Sequence, residues 1–392
     1  MKVTDVTTFV IENPPPAFAL GHFVVVRVEV DDGTIGWGEV SARVLPATVA
    51  TPAVADIADR LVIGHDLRDI EGLWRRARAH AVAGVVDATT TAVLGGLEIA
   101  GWDLAGKAAG VPVHALLGGR AHESVRAATA LYPSAGWREV TTNPEHAAAR
   151  AANEVERGFD ALFFDVAASP DSAPSAAPTQ QQIVDTAQMM ATLRSSLGPS
   201  ADVVVRANGR FGPAGARRFV HELESFDPMW FDEPCPGDDP AALATVAATS
   251  TVAIGAGSTI SSVAGFAHLT RSNAVSVVRP DLSRCGGIAA ARKVAAVAEA
   301  HGCLVVPALA GGPMLGAANL QFALATANVA MIEGVRDWTG IHAQLLTSPI
   351  AVEGGRLLPP DGPGLGTELD LDVARSHAPS TTAPLPPPPG AS

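Results

Sequence analysis

Lysine is almost missing from this 392-residue chain: Lys2, Lys107 and Lys293 are the whole set, so Schiff-base chemistry has almost nothing to run on. Cysteine is as scarce. Cys235, Cys285 and Cys303 show no paired spacing, which excludes a disulfide framework and a cysteine zinc site and fits a reducing compartment. Charged residues make up only 17%, and 27 Lys and Arg against 40 Asp and Glu leave a formal net charge of -13. Such a surface repels nucleic acid and anionic lipid. No apolar run reaches the roughly eighteen residues of a membrane span. The opening MKVTDVTTFVIENPPP has no cationic stretch ahead of an apolar core. These absences predict a cytoplasmic protein with neither nucleic acid nor membrane as partner.

What is present is apolar: 47% hydrophobic residues with much Ala and Gly, the composition of a compact chain with close helix packing. The length calls for two domains or a barrel with a sizeable companion. VTDVTTFVIE and HFVVVRVEVDDGTIGWGEV read as a meander turning at Asp31-Asp32-Gly33. From about Pro46 to Gly118 the period becomes helical, predicting a small α+β domain over residues 1–120. Eight short apolar runs then alternate with amphipathic stretches: VRAATALY, ALFFDV, DVVVRA, MWFDE, VAIGAG, VSVVRP, CLVVPA and VAMIEG. Eight βα units favour a closed parallel barrel, here 121–350, with its reactive face where the strands end. The end of the chain, 379–392, is proline-dense without apolar period and reads as a disordered tail.

Six stretches carry a resemblance: GTIGWGE (33–39), AGWDLAGKAAGVPVHALLGG (100–119), RANGRF (206–211), DEP (232–234), RPDLSRCGGI (279–288) and DGPGLG (361–366). Together they are similar to the mandelate racemase and muconate lactonizing enzyme branch of the enolase superfamily, especially its acid-sugar dehydratases. The resemblance implies an α/β fold: a modified TIM (β/α) barrel under an N-terminal α+β capping domain, with residues 351–378 returning to the cap. It also implies a homo-oligomer.

In that family three strand-end carboxylates hold Mg²⁺, an ion suited to hard oxygen ligands. Set against that pattern, the chain keeps one. Arg206 stands in the third-strand motif Arg206-Ala207-Asn208-Gly209, Asp232 keeps a carboxylate on the fourth strand, and Ser258 takes the fifth-strand place. The resemblance puts Phe163 where a second-strand lysine is common, with Asp165 retained. It puts Ala308 where a catalytic histidine follows Pro307, leaving Asp281 without its imidazole, while Glu333 matches. The expectation is therefore no metal and no cofactor.

Remaining acid and base candidates are Asp165, Asp232, Asp281 and Glu333, with His22 of the capping loop as a further possibility. Arg206 reads two ways: a guanidinium that replaces the metal's charge, paired with Asp232 and gripping a substrate carboxylate or phosphate, or an internal salt bridge plugging a dead site. Asn208, Ser258, His22, Phe163 and Ala308 complete the candidate substrate pocket, Phe163 and Ala308 making part of it apolar. Cys235 lacks an adjacent histidine and reads as filler. The leading expectation is a metal-independent lyase or isomerase, dehydratase- or cyclase-like, for a small anionic substrate. The alternatives are a noncatalytic ligand-binding or scaffolding descendant, and a Mg²⁺-dependent acid-sugar dehydratase in which Glu233 substitutes as ligand.

Overall fold

A computed structural model describes residues 1–14, 20–131, 139–166, 177–334 and 340–379, so the proline-rich tail beyond Pro379 lies outside the described residues. The β-branched runs at the start form an antiparallel sheet of β1 (Val3–Glu12), β2 (His22–Val30) and β3 (Ile35–Val40). Gly33, at φ +84°, makes the turn between β2 and β3, with Asp32 accepting from the Thr34 N–H.

The sheet packs on the helix Ala88–Ala109, capped by Asp87 and stopped by left-handed Gly110. A side chain at Gly38 would sit 1.9 Å from the Gly96 carbonyl oxygen, so only glycine lets strand and helix approach this closely. Val24, Val26, Val28, Leu61, Leu73 and Leu94 belong to the apolar core of this capping unit.

All eight short apolar runs become strands of one parallel barrel. In chain order they are β4 (Val125–Ala130), β5 (Ala161–Asp165), β6 (Asp202–Arg206), β7 (Trp230–Asp232), β8 (Ile254–Ala256), β9 (Val277–Val278), β10 (Leu304–Val305) and β11 (Ile332–Glu333). Neighbours pair in sequence from β4 to β10, and β11 returns to β4 through Ile332 with Ala127 and Glu333 with Ala128. A bridge from Val305 to Val329 closes the last gap. Alternation sorts the side chains. Ala128, Ala130, Ala161, Phe163, Val204 and Trp230 share the small central cluster, whereas Leu162, Phe164, Val203, Val205 and Phe231 belong to the larger one shared with the helices. The alanines leave room for the rings of Phe163 and Trp230.

After the barrel a hairpin, β12 (Val352–Glu353) and β13 (Arg356–Leu357), adds antiparallel to β4. The chain then runs back to the first domain: the Gly364 carbonyl accepts from Val113 N–H, and the His377 carbonyl from Glu12 N–H. Among the described residues no helix is long and apolar enough to cross a membrane.

Buried carboxylates fasten the cap to the barrel. Glu39 of β3 accepts from the N–H groups of Gly312 and Leu315, at the start of the helix Pro313–Leu324. Glu98 accepts from Ile288 at 2.7 Å, Ala289 at 2.8 Å and the Trp102 indole at 2.8 Å, capping the helix Gly287–Ala300. Asp103 joins Trp37 N–H and Leu365 N–H, with Lys107 2.9 Å away. Free N–H groups and the helix dipole favour an anion at these ends.

Burial nevertheless pushes the Glu39 and Glu98 carboxyls up to about 7, the backbone hydrogen bonds offsetting it only in part. An acid with a raised folded pKa contributes stability that is full below its unfolded pKa and lost as pH rises through the folded one. The stability of the native protein relative to Glu98→Gln should therefore grow as pH falls from about 8 to about 6. Thermal unfolding of both proteins across that window checks it; a difference independent of pH contradicts it.

Candidate active site at the barrel mouth

Strand register brings the chemistry together. Asp165, Arg206 and Asp232 are direct partners across β5, β6 and β7, so three charged side chains emerge side by side at the strand ends. Arg279, one residue past β9, and Glu333, at the end of β11, complete the group.

Arg206 Nε donates to Asp165 Oδ1 at 2.7 Å, and Arg206 Nη1 donates to Glu333 Oε1. Arg279 Nη2 donates to Glu333 Oε2 at 2.5 Å, while its Nε stands 3.7 Å from Asp232 Oδ1. Asp232 Oδ1 takes the Trp230 indole N–H at 2.8 Å. Beneath lies Phe163, with the guanidinium carbons of Arg206 and Arg279 at 5.0 and 4.9 Å from its ring centroid and Trp230 edge-on at 5.6 Å. Two cations thus sit among three carboxylates over one aromatic face. Arg206, Arg279, Asp232 and Glu333 are all buried, and Asp165 is the most exposed of the group.

The electrostatics follow from the contacts. Against the desolvation that burial imposes on Glu333, the charges and hydrogen bonds of Arg206 and Arg279 hold its carboxyl below the usual range. Burial pushes Asp232 up, with Arg279 and Arg206 only partly offsetting it. Asp232 Oδ2 and two guanidinium nitrogens of Arg279, Nε and Nη1, are buried without a hydrogen-bond partner.

This geometry corrects the sequence reading in several places. Arg206 pairs with Asp165 and Glu333 rather than with Asp232, because the Trp230 indole and Arg279 lie on the Asp232 side. Phe163 is fully buried beneath the guanidinium groups, so it supports the charges and cannot line a substrate pocket. Ala308 is buried too, bridged to Asp281 along the backbone. His22 bonds the Leu45 carbonyl at 3.2 Å and is not among the residues lining the cleft. Sequence reasoning passed over Arg279, although an arginine closing the apolar run VSVVRP was a visible signal.

Above the charged floor opens a cleft of about 400 Å³. Asn208 comes from the end of β6, Glu233 from β7, Ser258 and Thr259 from β8, and Arg284 from the short helix Leu282–Cys285 that follows β9. Arg43, from the loop after β3, brings the cap to its rim. Asn208 Nδ2 reaches Asp165 Oδ2 at 3.2 Å, linking cleft to floor. Glu233 Oε1 accepts from the N–H groups of Gly257 at 2.9 Å and Ser258 at 2.7 Å. Burial and the neighbouring Asp232 charge push the Glu233 carboxyl up. Asp281, buried beside the cleft residue Arg284, accepts from the Ser283 N–H and hydroxyl, and burial pushes it up to about 6. Cys235 is buried and its thiol is pushed up to about 11, which removes it as a nucleophile.

The donor set does not fit a hard divalent cation. Guanidinium groups separate Asp165, Asp232 and Glu333, and among the described residues no group of three His, Cys, Asp or Glu is placed to hold a metal ion.

Comparison with known proteins places this architecture. Residues 7–118 match the mandelate racemase / muconate lactonizing enzyme N-terminal domain, and residues 146–373 match the enolase C-terminal domain-like family. The chain is 30% identical to a D-galactarolactone cycloisomerase of Agrobacterium fabrum, over 95% of this chain and 98% of that one. It is also 30% identical to a D-galactonate dehydratase of Ralstonia pickettii, over 96% and 94%. A mandelate racemase/muconate lactonizing enzyme from Jannaschia sp. CCS1 superposes with TM-score 0.92 at 34% identity, covering 98% of this chain and 100% of that one. Another from a Sulfitobacter species gives TM-score 0.91 at 34% identity, covering 96% of both. In sequence and in fold, the chain belongs to the mandelate racemase/muconate lactonizing enzyme branch of the enolase superfamily.

Proposed function

We infer that this protein is a lyase or isomerase for a small, hydroxylated carboxylate and that it works without a bound divalent metal. The observation that carries the reading is the placement of Arg206 and Arg279 among Asp165, Asp232 and Glu333, where their fixed charges occupy the space a cation would need. The relatives support the substrate class, being named for dehydration of a sugar acid and isomerisation of a sugar-acid lactone. In this reading Arg206 and Ser258 replace metal carboxylates, and Phe163 and Ala308 replace the usual bases.

Proton transfer then falls to carboxyl groups. Of the four expected candidates, Glu333 is held by two arginines and Asp232 is fully buried, so neither can meet substrate. Asp165 keeps exposure, and Glu233 lines the cleft with a carboxyl biased towards its protonated form. Dehydration needs one group to take the proton α to the substrate carboxylate and another to give a proton to the departing hydroxyl. Glu233, which lines the cleft, takes the acid's role; Asp165, outside the lining but joined to it through Asn208, takes the base's; and Asp281 holds a further buried proton site beside Arg284.

A second reading has its own support. The floor is already internally paired and buried, as a purely structural plug would be, which suits a noncatalytic ligand-binding descendant. Turnover separates the two. Chelator-treated protein, assayed by mass spectrometry against a panel of aldonates, aldarates and their lactones, should convert at least one member at a rate unchanged by added Mg²⁺. Strict dependence on Mg²⁺ overturns the metal-independent reading, and binding without conversion favours the plug.

Arg206→Ala should destabilise the fold by about 3–5 kcal/mol, because it strips a buried partner from Glu333 and, among the described residues, leaves Asp165 only Asn208. Urea unfolding reads this directly; a loss below about 1 kcal/mol would mean that Arg206 behaves as an exposed ion pair.

A further inference from the structure

The anion of the substrate must be held by something other than Arg206 and Arg279, whose guanidinium groups are engaged in the floor. Two arginines of the cleft are not so committed. Among the described residues, neither Arg43 nor Arg284 has a side-chain hydrogen bond or an ion pair, yet both line the same cavity. They come from different parts of the fold, Arg43 from the cap loop after β3 and Arg284 from the barrel. The charges of both also favour the ionised form of Asp281, against the burial that raises it.

We propose that Arg43 and Arg284 together clamp the carboxylate of a singly charged polyhydroxy acid, bridging cap and barrel across the cleft. This rests on the reading of the cleft as a substrate site and assigns its anchor. Charge selects the class. The two arginines share their surroundings with the Asp238 and Glu233 carboxyls of the same lining and with Asp281 beside it, so the acidic groups already there disfavour a second carboxylate on the ligand. Polarity narrows it further. Asn208, Ser258 and Thr259 offer an amide and two hydroxyls, and among the described residues of the lining Pro236 is the one apolar side chain, so this part of the site suits a chain of hydroxyl groups better than an aryl or alkyl acid. A guanidinium pair converging on one carboxylate provides the strong, directional hydrogen bonds that such an anchor needs.

The test uses the intact protein with chelator present and reads binding by calorimetry, so it does not depend on turnover. Three probes of equal carbon number differ in how many of their terminal carbons are carboxylates: gluconate has one, glucarate two and the neutral alditol glucitol none. Gluconate should bind, glucarate more weakly, and glucitol not measurably. Arg43→Gln and Arg284→Gln should each weaken gluconate binding by about tenfold or more, and the double variant should abolish it. Arg43 is exposed and Arg284 half-buried, both unpaired, so the melting temperature of the free protein should not change in either variant. No gluconate binding, equal binding of glucitol, or full affinity retained in both single variants overturns the proposal. Gluconate bound through both arginines, with no member of the acid and lactone panel converted, would sink the catalytic reading alone. Conversion that ignores both substitutions would sink the clamp alone.

Discussion

Two guanidinium groups inside a barrel are tolerable only if their charges are answered, and that requirement organises the strand-end face of this barrel. Removing an ion from water costs several kcal/mol even after relaxation, on the order of the whole stability margin of a domain. Arg206 and Arg279 meet that cost through Glu333, which accepts from both, through Asp165, and through the face of Phe163. Alanines at 128, 130 and 161 leave the barrel interior wide enough for that ring and for Trp230. Core packing, strand register and site electrostatics are therefore one arrangement: a change to the aromatic floor would strand the charges above it.

The same logic recurs where cap meets barrel. Glu39, Glu98 and Asp103 are buried carboxylates whose partners are mostly backbone N–H groups, two of them at helix starts. Such contacts fix the cap against the barrel without side-chain cations, except for Lys107 beside Asp103. Rigid docking matters for function because Arg43 belongs to the cap and Arg284 to the barrel. A clamp across the cleft works only if the two halves hold their distance.

Much of the fold was legible in the sequence, since each barrel strand lies in a short apolar run bounded by helical periodicity, and all eight were found where those runs lie. The meander turn at Asp31-Asp32-Gly33 was legible for the same reason, a tight-turn signal between alternating strands. The wiring of the site was not. Register makes both Asp165 and Asp232 neighbours of Arg206, and sequence cannot say which one receives the guanidinium. The choice falls to Trp230, whose indole holds Asp232, and to Arg279, hidden as the polar end of an apolar run. Phe163 was expected to face substrate, but its place two residues before Asp165 on the same strand turns it into the barrel beneath the charges. Arg43 lay beyond pattern reading altogether, because its role depends on how a loop of one domain overhangs another.

A crystal structure of the protein grown in excess MgCl₂ addresses the central claim most directly, by showing what lies between Asp165, Asp232 and Glu333. Arg206 and Arg279 should occupy that space, donating to Asp165 and Glu333, with no octahedrally coordinated density among the carboxylates. An ion bound to Asp232 with Arg206 swung out of the barrel would contradict the account.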